Sequence, residues 1–285
     1  MAKEWNFLQE LVFNFGSELA SNPTQYMMEQ AFAREGLNWR YVQFEFSPEK
    51  LASAVAAMRL LGFRGGNCTM PYKVAIVEHL DGLGESAAVM GAVNCVVRRE
   101  DRLIGENTDG KGFLQSFREV AEPKGRSVVV LGAGGAARAI AVELALAGAS
   151  RFTIVNRTAA RGKELTSLLT GKVGVEASYV PWENVYAVPD TVEVLVNATS
   201  IGMGDRSAKV AIDLDSLRSD LVVADVIVHP PDTWLIRNAR ERGAKAIDGL
   251  GMVVNQAVIA FEYWTGVRPD PVVMRGALSE VLGLE

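Results

Sequence analysis

Lys73 stands two residues after Pro71 in the run Gly65-Gly66-Asn67-Cys68-Thr69-Met70-Pro71-Tyr72-Lys73, where an apolar strand pattern gives way to a helical one. A helix start presents unpaired backbone N–H groups and favours negative charge, so a lysine in its first turn is electrostatically misplaced. Burial also disfavours an ammonium. The two effects would move the amine from about 10.4 toward neutrality, where it can serve as acid and base. Polar residues that could act with it gather at element ends of the same block: Thr69, Asn94 and Asn107-Thr108-Asp109. Asn94 interrupts the apolar stretch GAVNCVV, and a buried asparagine needs a backbone or ligand partner. Asp109 would hold the ammonium and oppose its shift. An ordinary surface ion pair between Lys73 and Asp109 fits the spacing equally well.

A second constellation lies at SVVVLGAGGAARAIAVELALAGA. Gly132, Gly134 and Ala137 match G-x-G-x-x-G/A, with Gly135 adjacent, an apolar strand entering and a helical pattern leaving. Such glycines let the backbone approach a pyrophosphate seated on the helix N-terminus. A tight strand-to-helix turn without a ligand is the alternative. About 20 residues on, where an acidic residue would mark NAD, stand Asn156-Arg157-Thr158 with Arg161 one turn further. Two guanidinium groups, an amide and a hydroxyl suit a 2′-phosphate and so NADP; solvated surface arginines are the alternative.

The elements that must position these residues fall into three blocks. Residues 1–107 read as strands alternating with helices. TQYMMEQAFAREG predicts a helix ending at Gly36, and NWRYVQFEF a strand with Val42, Phe44 and Phe46 on one face. SPEKLASAVAAMRLLG predicts a helix capped by Ser47, with Pro48 in its first turn, ending at Gly62. PYKVAIVEHL reads as a helix, and AVNCVVRREDRLIGENT as a hairpin turning near Glu100-Asp101. Residues 108–240 open with a helix and continue in the βαβ rhythm of a doubly wound parallel sheet. Residues 241–285 are mostly helical. The fold class is therefore α/β.

The 285 residues are 49% hydrophobic and 22% charged, which is ample for a globular core in one or two domains. The net charge of −5, with no basic run, argues against a nucleic-acid partner. Cys68 and Cys95 have neither zinc nor CxxC spacing, so no metal is expected and a reducing cytoplasm is the simplest setting. Charges at Lys3, Glu4 and Glu10 deny the start the apolar core of a signal peptide. No uncharged apolar stretch reaches the roughly 18 residues of a membrane helix.

Taken in order, the motifs identify a family. NCTMPYK resembles the N-[VC]-T-x-P-x-K segment of the shikimate dehydrogenase family, and GAVNCVV, GENTDGKGF, GAGGAARA, VNRTAAR, NATSIGM and GLGMVVNQA resemble its other segments in the family's order. The resemblance covers nearly the whole chain after about residue 60. It implies NADP-linked hydride transfer to a ring ketone, as between 3-dehydroshikimate and shikimate. By the same resemblance Lys73 and Asp109 are catalytic, and Thr69, Asn94 and Gln256 bind substrate. Gly132, Ala133, Gly134, Gly135, Ala136, Asn156, Arg157, Thr158, Arg161, Val226 and Gly249 would contact the cofactor. It also implies a catalytic α/β domain over 1–107 and a Rossmann-type domain over 108–240, with C-terminal helices over 241–285 packing back on the first. The partner would be a shikimate-like small molecule, with no membrane contact, and the chain a monomer or homodimer.

Two places depart from the family. In its S-x-S-P segment, whose serines hold the substrate carboxylate, this chain has Ala20-Ser21-Asn22-Pro23. Ser21, Asn22 or Ser17 could still donate a hydrogen bond. In LVVADVIVHPP, Val228 replaces a tyrosine that reaches the substrate, and His229 an asparagine. His229 is either a substitute contact or structural. Both changes fall on substrate recognition. They leave three readings: shikimate or a close analogue as substrate, quinate as substrate with Ala20 making room for an extra hydroxyl, or a cofactor-binding paralogue with little catalysis.

Overall fold

The computed structural model describes residues 7–284, so Lys3 and Glu4 lie outside the described residues. The chain divides into two compact units. One runs through Thr108 and resumes at Ala257; the other is Asp109–Gln256.

The first unit is built on a six-stranded mixed sheet ordered β2-β1-β3-β5-β6-β4. The strands are β1 (Glu10–Gly16), β2 (Trp39–Glu45), β3 (Gly65–Cys68), β4 (Gly82–Leu83), β5 (Cys95–Arg99) and β6 (Arg102–Glu106). β1 pairs in parallel with both β2 and β3, while β5 and β6 form the expected hairpin, with Glu100 at φ 55 in its turn. Asn94 lies just before β5 and does not interrupt it. Helix α1 (Thr24–Arg34) ends before Gly36, whose φ of +67 favours glycine. Helix α2 (Leu51–Leu60) follows a 3-10 turn at Pro48–Lys50, and the Ser47 side chain makes no cap hydrogen bond. Tyr41, on the face of β2 opposite Val42 and Phe44, is that strand's fully buried residue. Phe13, Phe15, Phe63, Met58, Tyr72 and Val96 belong to the core on one side of this sheet.

The C-terminal helices close the same unit. The chain re-enters it within helix α9 (Gly249–Thr265), and α10 (Pro271–Leu282) follows, capped by the Asp270 side chain on Val272 N–H. The Phe261 ring stacks on Phe32 with centroids 4.9 Å apart. The Trp264 indole N–H donates to Val96 O at 2.9 Å, and Tyr26 Oη donates to Glu280 at 2.9 Å.

The second unit carries an all-parallel sheet ordered β12-β11-β10-β7-β8-β9. Its strands are β7 (Ser127–Leu131), β8 (Arg151–Asn156), β9 (Glu176–Pro181), β10 (Val194–Asn197), β11 (Val222–Asp225) and β12 (Lys245–Ile247). In chain order this is 3-2-1-4-5-6, the arrangement of dinucleotide-binding sheets, whose switch point lies between the first and fourth strands. The sheet runs past residue 240, because β12 pairs with β11. Helices α5 (Thr108–Arg118), α6 (Gly135–Leu146), α7 (Ala159–Leu168) and α8 (Trp234–Glu241) accompany it. The core on one side joins Val129, Leu131, Leu195, Val223 and Leu235.

Candidate active site

Lys73 sits in α3 (Tyr72–Ala75), a single α turn that continues as a 3-10 turn over Ile76–His79. The lysine is half-buried, and its backbone carbonyl accepts from Val93 N–H at 2.8 Å. One turn sums few peptide dipoles, so the field imagined for a full helix is largely missing. Tyr72 anchors the turn: its ring is fully buried and stacks on Phe46, and its hydroxyl donates to the Phe46 carbonyl. Thr69, half-buried at the entry to the turn, donates its N–H to Phe15 O.

Asn94 is buried and grips the start of α5. Its Oδ1 accepts from Thr108 N–H at 2.7 Å, and its Nδ2 donates to Thr108 Oγ1 at 3.0 Å. Its backbone carbonyl accepts from Cys68 N–H and from Asn67 Nδ2. Asn67 Oδ1 in turn accepts from Tyr41 Oη at 2.8 Å. Burial pushes the Tyr41 hydroxyl well above its ordinary value, so it stays protonated and donates. This chain from Tyr41 through Asn67 and Asn94 to Thr108 was only half legible. Asn94 stood out as a polar residue in an apolar run and Thr108 as one of the polar residues at an element end; Tyr41 and Asn67 carried no signal of their own.

Asp109 is the residue after Thr108, in the first turn of α5 and half-buried. Next to it the motif glycines serve packing. A Cβ at Gly110 would come within 2.3 Å of Ala139 O, and one at Gly112 within 2.6 Å of Gln256 N. Gln256, half-buried on α9, is thereby set against α5, and its neighbour Asn255 donates to Ser116 Oγ at 2.9 Å.

The glycine turn leaves β7 and opens α6, a 12-residue helix with Gly134 at its N-cap. Gly132 has φ +104, and a Cβ there would stand 2.9 Å from Ala198 O. Cβ atoms at Gly134 and Gly135 would meet nothing within 4 Å. Ala133 and Ala136 flank them. The turn thus offers open backbone donors at a helix N-terminus, which fits a pyrophosphate. At the end of β8, Asn156 Nδ2 donates to Thr158 O at 2.9 Å, and Thr158 is the N-cap of α7. Arg157, Thr158 and Arg161 are all exposed there. Val226 and Gly249 are together, since a Cβ at Gly249 would lie 2.7 Å from Val226 O.

A buried network unmarked in the sequence ties the ends of β10 and β11 to α8. Asp225 accepts from Asn197 Nδ2, Thr233 Oγ1 and Ile227 N–H at 3.0, 2.7 and 3.2 Å. Burial raises its carboxyl above the ordinary 3.8, against those hydrogen bonds. Val228 is half-buried; the His229 side chain is exposed, and its backbone carbonyl accepts from Gly204 N–H.

This arrangement has known counterparts. Residues 15–96 match the shikimate dehydrogenase substrate binding domain, residues 116–204 the shikimate / quinate 5-dehydrogenase domain, and residues 249–278 the shikimate 5′-dehydrogenase C-terminal domain. A protein of Alkaliphilus oremlandii named shikimate dehydrogenase (NADP(+)) is 42% identical over 242 residues, 83% of this chain and 85% of that one. A ligand-free 5-ketofructose reductase of Gluconobacter sp. strain CHM43 is 45% identical with a TM-score of 0.95, covering 97% of this chain and 100% of that one. The shikimate 5-dehydrogenase of Thermus thermophilus, solved with NADP(H) and shikimate, is 34% identical with a TM-score of 0.82, over 96% and 100% of the two chains. With its three matched domains in order and such identity across most of its length, the chain belongs to the shikimate dehydrogenase family.

Proposed function

We propose that the protein is an NADP-dependent oxidoreductase that interconverts a polyhydroxylated ring ketone and its alcohol, of the 3-dehydroshikimate/shikimate class. The observation that carries this reading is the Gly132–Gly135 turn, open at Gly134 and Gly135 and placed at the switch point of a parallel sheet. When bound, NADPH supplies the hydride that turns C=O into CH–O, and NADP takes it back in the reverse direction. The first unit is the substrate side, with the C-terminal helices, and the second the cofactor side.

Lys73 Nζ gives a proton to the ketone oxygen and removes it from the alcohol. Asp109 accepts a hydrogen bond from a substrate hydroxyl and orients the ammonium. Thr69, Asn94 and Gln256 contribute the remaining polar contacts, and the Asn94 grip on Thr108 fixes the residue before Asp109. Gly132 to Ala136 cradle the pyrophosphate, with Val226 and Gly249 beside the cofactor. Asn156, Arg157, Thr158 and Arg161 take the 2′-phosphate. The enzyme works in the cytoplasm as a monomer or homodimer. No helix among the described residues is long and apolar enough to cross a membrane.

Shikimate is favoured over quinate by the names of the curated relatives. A second reading is favoured by Ala20 and Asn22: a substrate without a carboxylate, such as the keto-sugar for which the 45%-identical reductase is named. Arg157→Ala tests the cofactor assignment. Measured by calorimetry, NADP affinity should fall about ten- to a hundredfold with NAD barely changed, the loss expected of a charge-assisted contact. Equal losses for both would contradict the 2′-phosphate site.

A further inference from the structure

The loop after β1 is bound to a charge at the end of β2 that the reaction described above does not use. β1, β2 and β3 run parallel, and ligands of such sheets bind beyond the carboxyl ends of the strands. Glu45 ends β2 and stands opposite Gly16, which ends β1. Its carboxylate accepts from the N–H groups of Leu19 and Ala20, at 2.5 and 3.2 Å. Thr69, just past β3, closes on the same spot. A Cβ at Gly16 would lie 2.6 Å from the Leu19 side chain and 2.8 Å from that of Thr69. This corner of the first unit therefore already holds an anion, and two of its backbone donors are engaged by it. Ala20 has no hydroxyl, and Asn22 is held through its acceptor Oδ1 by Thr24 N–H at 2.9 Å, a bond that does not use its Nδ2.

We propose that Glu45 is a specificity-determining residue that turns this corner against carboxylate-bearing substrates and toward uncharged polyhydroxylated ketones. The inference rests on the ketone-reductase reading and takes up its second form, a substrate without a carboxylate. A substrate carboxylate brought here meets a like charge, whereas a hydroxyl finds an acceptor. Glu45 is exposed, so the repulsion is screened by salt. Shikimate-class acids remain substrates, at a disadvantage. 5-Ketofructose, for which the structurally similar reductase is named, is a polyhydroxylated diketone with no charge.

The test compares kcat/KM for 5-ketofructose and for 3-dehydroshikimate with NADPH, in the wild type and in Glu45→Gln, at low and high salt. The glutamine keeps an acceptor for Leu19 and Ala20 but removes the charge. Binding of shikimate and of its methyl ester to wild-type protein without cofactor, by calorimetry, supplies a readout that needs neither variant nor turnover. The wild type should prefer 5-ketofructose at least about tenfold and bind the ester more tightly than the acid. Glu45→Gln should lower that preference about tenfold, most at low salt. A wild type that prefers 3-dehydroshikimate, tighter binding of the acid than of the ester, or an unchanged ratio in Glu45→Gln overturns the inference and leaves the reductase reading standing. Absence of NADPH oxidation with either ketone overturns both.

Discussion

Thr108 has its N–H and its hydroxyl both bound to Asn94, and this small clamp shows what single residues disclose and conceal. The type of Asn94 was informative, because an amide in an apolar run must be satisfied somewhere. Its partner was not, since nothing in the spacing said that residue 108 would meet residue 94. Lys73 was legible by type and place, but its surroundings are not those of a long helix: the turn that carries it is one α turn. Asp225 was invisible, because a lone aspartate at a strand end looks like any surface acid. Its burial has a pH consequence with a definite sign. The folded carboxyl titrates above 3.8, so the folded state holds its proton more tightly than the unfolded chain. Its contribution to stability is therefore greatest below that value, falls as pH rises through the raised folded value, and is level above. In urea titrations, the stability of the wild type relative to Asp225→Asn should fall across that window. A relative stability that rises there would contradict the buried-carboxylate account.

Among the elements, amphipathic helices and the hairpin could be read because one face is apolar or a turn is marked. β1 could not. Val12, Phe13, Asn14 and Phe15 are all buried, so the strand lies between two covered faces and shows no alternation to detect. β9 is a half-exposed edge strand and β12 has three residues, too short for any periodic signal. Gly110 and Gly112 of GENTDGKGF lie inside α5, where they let α6 and α9 approach its backbone. Gly110→Ala would set a Cβ against the Ala139 carbonyl, backbone that cannot step aside cheaply. Helix propensity alone would favour the alanine by about 1 kcal/mol, yet overpacking should win and destabilise the protein by about 1–3 kcal/mol. Thermal and urea unfolding of Gly110→Ala would show it. A neutral or stabilised variant would mean that α5 and α6 are less tightly apposed.

At the scale of the molecule, the two units are built on sheets of different character, one mixed and one all parallel. The second unit announced itself, because a parallel nucleotide-binding sheet repeats one motif and opens on a glycine turn. The first unit was legible mainly through the order of its polar motifs, since its mixed sheet has no such repeat. The departures from the family pattern read in the sequence fall at Ala20 and Asn22 in the first unit and at Val228 and His229 in the second. Glu45 stood in a strand that read only as packing. The central claim is that a lysine after β3 moves the proton while a separate unit holds NADP. The most direct test is Lys73→Ala, assayed for ketone-dependent NADPH oxidation and for NADP affinity by calorimetry. Turnover should fall at least about 100-fold, the scale of general acid–base catalysis, with NADP affinity kept within about twofold. Undiminished turnover would contradict the account.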